Sequence, residues 1–328
     1  FMWHLINSIV NVISDLKISD YYLSFYTSDY KLHIIDKSTL FEIKAFQFER
    51  DSNYSLFDDK LYLSNDNELC IVDIGNNSIL DKFDSRKQYI EVLTEKLYLA
   101  SSYIRSEKKY ENLIIGSDKQ PVFELNGEFG VNKYYNQYLF LINRENNKIS
   151  VASTKKKRKL WETTLVDKVN GSAIINNDYL IVPLFQSLIK FEIKTGNILW
   201  KLDIPHTSDF NINELESKLY SLNTNTFEII DIETGAREMQ KELDLQIPAH
   251  LTYYADGYLY FSGYKGDRVT RIFGAVDVST GEVAFTQSIE MPHGETYRGT
   301  YDRPTVVGNR LYIRDQLKTL HIYERQGV

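Results

Sequence analysis

A short sequence pattern recurs along the whole of this chain at a nearly constant spacing. Each copy starts with a polar pair and continues into a run of apolar and tyrosine residues. Successive copies are 36 to 41 residues apart, except for one longer interval between residues 256 and 309. The copies start at Asp20, Asp59, Glu95, Asn136, Asn177, Ser217, Asp256 and Asn309. A period of about 40 residues, with room for about four short strands, is typical of a β-propeller blade.

In most copies a tight turn follows the polar pair and its apolar run. The clearest example runs from Leu188 to Trp200. Alternate residues at 188–193 are placed to face opposite sides of a strand. Thr195 and Gly196 then supply the turn, and Trp200 lies in the strand that follows. We expect the acidic residue before each turn to accept backbone N–H hydrogen bonds within it. In different copies this residue is Asp36, Asp73, Glu192, Asp231 or Asp277.

The pattern Asp-x-x-Thr-Gly followed by an aromatic residue resembles the repeat of the PQQ-like propellers, the quinoprotein alcohol dehydrogenase-like superfamily. The resemblance covers nearly the whole chain and is weakest between Glu95 and Asn136, where no Thr-Gly turn occurs. It implies an all-β propeller of four-stranded blades. The quinoprotein enzymes have adjacent cysteines that form a ring disulfide beside the quinone, whereas Cys70 is the only cysteine here. We therefore expect the fold without the dehydrogenase activity and without a cofactor.

The two ends of the chain resemble parts of one repeat. The C-terminal segment 322–327 matches 191–196 up to the turn, and Met2–Leu5 matches the strand after that turn. We therefore expect residues 1–6 to supply the outer strand of the last blade and residues 304–328 to supply the rest. Such pairing would close the ring of blades. Eight repeat starts predict eight blades, and seven is the alternative if the irregular third copy is not a blade.

The composition fits this prediction. Hydrophobic residues make up 43% of the chain, which is enough for a packed core and excludes wholesale disorder. Tyrosine is abundant, at 24 residues, and its amphipathic ring suits the half-buried positions of strands. Because all-β propellers of this length fold as one unit, we expect a single domain over residues 1–328.

Charge and hydropathy indicate which classes of partner and which compartment to expect. With 38 basic and 45 acidic side chains the net charge is −7, which disfavours nucleic acid and favours a basic protein partner. No apolar run reaches the roughly 18 residues of a membrane span. The apolar stretch at residues 6–13 has neither a basic region before it nor a small-residue cleavage site after it. We expect a cytoplasmic protein that is monomeric before binding, with the periplasm as the alternative if a signal sequence has been removed.

Familiar catalytic motifs are missing from the sequence. It contains no Gly-x-Ser-x-Gly, Gly-rich phosphate loop, His-Glu-x-x-His or Cys-x-x-Cys. The many carboxylates leave a glycosidase-like pair open, but nothing selects two of them. His293 and Glu295 offer two types of metal ligand without a third, so we expect no metal site. The basic run at 155–159 occupies a turn position, and we interpret it as a solvated turn.

Propeller topology predicts which loops lie together. The hairpin between the second and third strands of a blade shares one face with the connections between blades, and we name this the connection face. The turn between the first two strands and the Thr-Gly turn lie on the opposite side, the turn face.

Segments 101–112, 264–271 and 292–304 are longer than the repeat requires and belong to the connection face, and long loops commonly carry function. Their alternative interpretation is a set of solvated loops with local ion pairs. The candidate partner-binding residues are Tyr103, Arg105, Tyr110, Tyr264, Asp267, Arg268, His293, Glu295, Tyr297, Arg298, Tyr301, Asp302 and Arg303.

Three functional hypotheses follow. The first is a non-enzymatic protein-binding propeller, for example a bacterial immunity protein that sequesters a basic partner. The second is an envelope scaffold similar to the propeller lipoprotein of the outer-membrane assembly machinery. The third is an enzyme, quinoprotein-like or carbohydrate-active, that works in the central channel and requires convergent polar groups there.

Overall fold

The structure is a computed structural model that describes residues 2–326, apart from residues 15, 20, 40, 48–52, 58, 65–67, 77, 85–88, 105, 126, 205–208, 267–269 and 290–299. The described residues form β-strands and turns, with one single-turn 3-10 helix at Ala249–Leu251. This confirms the prediction of an all-β fold.

Strands β1 to β13 occupy the N-terminal part of the chain. They are β1 (Met2–Ile9), β2 (Lys17–Ile18), β3 (Tyr22–Tyr26), β4 (Lys31–Asp36), β5 (Glu42–Gln47), β6 (Asn53–Phe57), β7 (Lys60–Ser64), β8 (Glu68–Asp73), β9 (Ser78–Asp84), β10 (Tyr89–Thr94), β11 (Leu97–Ile104), β12 (Lys109–Gly116) and β13 (Pro121–Glu124).

Strands β14 to β31 occupy the remainder. They are β14 (Gly130–Tyr135), β15 (Tyr138–Asn143), β16 (Lys148–Ser153), β17 (Arg158–Thr164), β18 (Ile174–Ile175), β19 (Tyr179–Pro183), β20 (Ser187–Glu192), β21 (Ile198–Asp203), β22 (Asn211–Asn213), β23 (Lys218–Asp231), β24 (Arg237–Ile247), β25 (Thr252–Ala255), β26 (Tyr258–Lys265), β27 (Arg271–Asp277), β28 (Glu282–Gln287), β29 (Thr305–Val307), β30 (Arg310–Arg314) and β31 (Leu320–Gln326).

These strands form antiparallel sheets that follow the sequence repeats. Four-stranded sheets contain β2–β5, β6–β9, β10–β13, β14–β17, β18–β21, and β29–β31 together with β1. The third repeat, which lacks a Thr-Gly turn, therefore still forms a regular sheet. The remaining strands, β22–β28, make one seven-stranded sheet because the extended end of β24 pairs with β26. Since this sheet contains two sequence repeats, the number of blades, eight or seven, stays a prediction.

The termini close the fold, as the sequence predicts. Strand β1 pairs antiparallel with β31 over Met2–Ile9 and Leu320–Gln326. The strand is longer than the segment 1–6 expected from the sequence. Its pairing passes through a register shift between Leu5 and Asn7 and continues to the end of the strand.

The hydrophobic core lies between neighbouring repeats. At the closure, Leu23 and Phe25 of the first repeat pack with Tyr312 and Ile322 of the last, and all four side chains are buried. Tyrosines in the second strand of several repeats are fully buried, which explains part of the tyrosine content: Tyr62, Tyr98, Tyr220, Tyr260 and Tyr312.

Tryptophan side chains join successive repeats to one another. The indole N–H of Trp161 donates to the Ile193 carbonyl of the next repeat at 2.8 Å, and that of Trp200 donates to the Ile232 carbonyl at 2.8 Å. The Thr-Gly turn of the next repeat packs directly on the same indole. Gly235 has φ +72°, and a Cβ built on it would lie 2.7 Å from the Trp200 ring. The turn therefore needs glycine for both its conformation and its close contact.

Carboxylates organise the turns as expected. The Asp231 carboxylate accepts the Thr234 backbone N–H at 2.8 Å, and the Asp277 carboxylate accepts that of Ser279 at 2.8 Å. The hydroxyl groups of these Thr and Ser residues also donate to the carboxylates. These hydrogen bonds lower the pKa of Asp231 and of Asp277, and similar bonds lower the pKa of Asp36 to about 2.

Candidate functional site

Main-chain hydrogen bonds distinguish the two faces of the fold. On the turn face, the N–H of Ile193 donates to the carbonyl of Asp178 at 2.9 Å, which joins the Thr-Gly turn to the first turn of the same repeat. On the connection face, the N–H of Phe185 in the hairpin donates to the carbonyl of Lys168 in the preceding connection at 3.0 Å. The hairpins and the connections between repeats are therefore neighbours, as the topology predicts.

Among the described residues, two hairpins on the connection face form more residue pairs than the corresponding hairpins of five other repeats. Strands β11 and β12 form eight residue pairs, and β26 and β27 form seven. The corresponding strands β3–β4, β7–β8, β15–β16, β19–β20 and β30–β31 form five or six. The two or three further pairs of β11 and β12 correspond to about 7–10 Å of additional strand. These are the hairpins that the sequence identifies as longer than the repeat requires.

The β11–β12 hairpin is fixed by the connection that follows its sheet. Asn112 is buried, and its side-chain amide donates to the carbonyls of Leu125 and Phe129 at 2.9 and 3.0 Å. Tyr110 exchanges two backbone hydrogen bonds with Gly127, at 2.6 and 2.9 Å. The side chain of Tyr110 is half-buried. It therefore combines a fixed position with a surface that a partner can contact.

The structure places three more predicted residues at the protein surface. Tyr264 is half-buried, and the guanidinium of Arg271 lies over its ring at 5.9 Å. Asp302 is ion-paired with Arg314. Arg303 is exposed. All three predicted residues are in hairpins or connections of the connection face.

Tyr301 is a correction to the predicted contact surface. Its side chain is 2% exposed and packs in the core with Phe273, so a partner cannot contact its ring in this structure. Its hydroxyl accepts the N–H of Ile289 at 3.0 Å, and its carbonyl accepts the hydroxyl of Ser262 at 2.7 Å. Burial raises the pKa of the phenol. The sequence alone does not distinguish this aromatic anchor from an exposed loop residue.

The other predicted contact residues fall outside the described part of the chain. They are Arg105, Asp267, Arg268, His293, Glu295, Tyr297 and Arg298, and the same holds for the side chain of Tyr103.

A cavity of about 380 Å³ opens among the connections on the connection face. Its walls come from three connections that are distant in the sequence and from the last repeat. The lining residues are Val12, Ser14, Leu16, His250, Leu251, Asp302, Arg303, Thr305, Tyr312, Arg314 and Leu320. Only Asp302 and Arg303 belong to the set predicted from the sequence. The other lining residues could not be predicted from the sequence. Closure of the ring brings their segments together, and no regular spacing in the sequence indicates this.

The two arginines of this cavity differ in whether they have a charged partner among the described residues. Arg314 is bound to the Asp302 carboxylate, and it also donates to the Val12 carbonyl at 3.4 Å. Arg303 is close enough to Tyr253 for its charge to oppose the rise in the phenol pKa that burial causes. Within the described residues, neither Arg303 nor His250 has a hydrogen bond or an ion pair.

A second groove, of about 510 Å³, lies on the turn face between the sixth and seventh repeats. Its walls combine tyrosines with carboxylates. Lys218 is ion-paired with Asp231 and Glu238, and the Tyr220 hydroxyl donates to Glu216 at 3.1 Å. The lining residues are Glu216, Lys218, Tyr220, Ile229, Glu238, Met239, Tyr254, Asp256, Gly257, Tyr258, Asp277, Val278 and Ser279. The groove is acidic overall.

The first strands of the sheets, which surround the channel of a propeller, carry a few charged groups. The ammonium groups of Lys17 and Lys133 donate to backbone carbonyls of the next repeat, at Tyr54 and Ala173. The Glu91 side chain is accessible, but the protein around it desolvates the carboxyl and raises its pKa, and the charge of Lys17 opposes this rise. The lysines thus join neighbouring repeats, and these contacts do not make a convergent catalytic cluster.

A serine, a histidine and an aspartate lie in a row at the closure of the fold. The Ser8 hydroxyl is 3.3 Å from Nδ1 of His321, and Nε2 of that ring is 2.9 Å from the Asp315 carboxylate. A similar row occurs in the first repeat, where Thr27 of the hairpin lies 2.9 Å from Nε2 of His33 and Glu42 of the outer strand contacts Nδ1 of the same ring. Because the same arrangement occurs at the same position of two repeats, we interpret it as a structural link between hairpin and outer strand.

Among the described residues, no group of three or more His, Cys, Asp or Glu side chains is placed to hold a metal ion. The same part of the chain contains no helix that is long and apolar enough to cross a membrane.

The family model described as outer membrane protein assembly factor BamB matches residues 124–327, which is more than half of the chain. The chain belongs to this PQQ-like family. The match confirms the resemblance inferred from the repeat, and it covers the closing sheet except for β1.

Solved structures show the same fold at low sequence identity. BamB from Moraxella catarrhalis is 9% identical, with a TM-score of 0.65 over 99% of this chain and 100% of that one. The C-terminal WD40 domain of Sif2 is 10% identical, with a TM-score of 0.68 over 99% of each chain. The computationally designed protein Ika8 is 10% identical, with a TM-score of 0.70 over 98% of each chain. No curated protein matches the chain.

Proposed function

We propose that the chain is a non-enzymatic scaffold that binds a partner protein through its connection face. The observation that carries this proposal is the β11–β12 hairpin. It forms eight residue pairs and is fixed to the following connection through Asn112. A rigid projection with a half-buried tyrosine, Tyr110, presents contact area at a small cost in conformational entropy.

Membership in the BamB family supports a role in the assembly of outer membrane proteins. The partner would then be a component of the cell envelope, and the protein would work in the periplasm. Electrostatic attraction would assist a basic partner, because the net charge of the chain is −7. We expect the chain to be monomeric until it binds.

The acidic groove of the turn face favours a second candidate function. Glu216, Glu238 and Asp256 are exposed there, beside Tyr254 and Tyr258. A cytoplasmic immunity protein would use such a surface to sequester a basic partner, and salt would weaken that complex strongly.

Affinity capture from the native host distinguishes the two candidates. The tagged protein is incubated with envelope and soluble fractions, alongside two double variants of equal charge change. Lys108→Glu with Lys109→Glu alters the connection-face hairpin, and Lys155→Glu with Lys156→Glu alters a turn-face turn. A stoichiometric envelope protein that is lost only with the hairpin variant supports the scaffold.

Other outcomes count against the scaffold. A soluble basic partner that is retained by the hairpin variant and released by salt supports the sequestering function instead. Equal capture of an envelope protein by both variants contradicts the connection face as the binding surface. Capture of nothing above the background of an untagged control contradicts both candidates.

A further inference from the structure

We propose that the connection-face cavity binds a carboxylate group carried on a short aliphatic chain. One part of the cavity wall is apolar, because Val12, Leu320 and the ring of Tyr312 line it and each of these residues is at most 2% exposed to solvent; charged and polar side chains form the rest of the wall. Its volume of about 380 Å³ lies within the range of about 300 to 1,000 Å³ that small-ligand sites occupy. An aliphatic group of a few carbon atoms fits against this apolar surface.

Arg303 supplies the recognition of the charge. Its side chain is exposed and lines the cavity, and within the described residues it has neither an ion pair nor a hydrogen bond. The other arginine of the cavity, Arg314, is already neutralised by Asp302. Among the described residues, the cavity therefore has one guanidinium without a charged partner, and a guanidinium can bind a carboxylate through two parallel hydrogen bonds.

The remaining lining residues favour an anion with a single charge. His250 and Thr305 can donate further hydrogen bonds, and His250 has no partner within the described part of the chain. The Asp302 carboxylate repels an anion less than a free carboxylate would, because Arg314 balances its charge. One arginine that has no charged partner among the described residues, beside an apolar surface, matches a carboxylate with an aliphatic group better than it matches a doubly charged phosphate.

Such a carboxylate has two sources, a free small acid or the end of a polypeptide. The site does not depend on the proposed scaffold function, because the purified chain alone contains all of the lining residues. Failure of this inference would leave the scaffold proposal untouched, since that proposal rests on the β11–β12 hairpin.

Isothermal titration calorimetry with the purified chain tests the inference. The probes are 4-methylpentanoate, its uncharged amide, and the peptide acetyl-Gly-Leu with a free or an amidated C-terminus. We expect the acid to bind at least about tenfold more tightly than the amide, because a charge-assisted hydrogen bond is lost with the carboxylate. A peptide acid that binds more tightly than the small acid identifies a polypeptide end as the ligand, and the reverse order identifies a free acid.

Variants locate the binding. Arg303→Gln should weaken the acid at least about tenfold, and Arg303→Lys should have an intermediate effect because the charge remains but the bidentate geometry is lost. Lys318→Gln makes the same charge change on the same face outside the cavity and should bind like the wild type. Matching thermal unfolding curves show that each variant is folded. Equal binding of acid and amide, unchanged binding by Arg303→Gln, or no binding of either acid at about 10 mM would overturn the proposal.

Discussion

The contact between Gly235 and Trp200 makes a quantitative prediction about how neighbouring repeats are held together. Alanine at position 235 must adopt φ +72°, which costs about 1–2 kcal/mol for an L-residue. Its Cβ would also lie 2.7 Å from the indole, so the ring must move and its 2.8 Å hydrogen bond to the Ile232 carbonyl would be lost. That bond contributes about 1 kcal/mol. We therefore expect Gly235→Ala to reduce the free energy of unfolding by about 2–3 kcal/mol.

Gly257→Ala provides the matched control. Gly257 has φ +78°, and an added Cβ would meet no atom within 4 Å, so this variant has the conformational cost alone. Guanidinium denaturation followed by far-ultraviolet circular dichroism measures the free energy of unfolding of both variants. Gly235→Ala should be the less stable of the two by at least about 1 kcal/mol. Equal losses of stability would refute the argument that the turn and the indole are in tight contact.

Three further predictions concern stability. Tyr301→Phe leaves the buried N–H of Ile289 without its acceptor and should cost about 1–3 kcal/mol in denaturant unfolding; an unchanged midpoint would contradict the buried hydrogen bond. Asn112→Ala removes two hydrogen bonds to carbonyls and should cost a similar amount, about 1–3 kcal/mol, whereas a neutral effect would mean that the hairpin is fixed in another way. The pKa values of Asp231 and Asp277 are lowered in the folded state, so the folded state binds protons more weakly than the unfolded state. Stability should therefore fall as the pH drops below about 4. Asp231→Asn should reduce this loss of stability between about pH 6 and pH 3, and an unaltered pH dependence would contradict the stabilising role of the carboxylate.

The sequence repeat allowed much of the fold to be predicted. Strand alternation, turn residues and the matching ends of the chain depend on local chemistry, so the strands, the carboxylate turns and the pairing of β1 with β31 could be predicted. The joining of two repeats into one seven-stranded sheet could not. It arises from two residue pairs between β24 and β26, which no repeat landmark marks.

The candidate site was only partly predictable. Topology identified the connection face and its long hairpins, because these follow from the order of the strands. Burial was not predictable at Tyr301, since an aromatic residue in a polar segment can be either an anchor or a contact. The cavity was not predictable either. Val12, His250 and Thr305 are distant in sequence and meet only in the closed ring.

The binding surface itself can be located by site-specific photo-crosslinking in the native host. A benzoylphenylalanine is placed at Ser106, which is exposed on the β11–β12 hairpin, or at Lys194, which is exposed at a Thr-Gly turn. We expect a specific crosslink to an envelope protein from position 106 and none from position 194. A crosslink that forms only from position 194 would contradict the connection face as the binding surface.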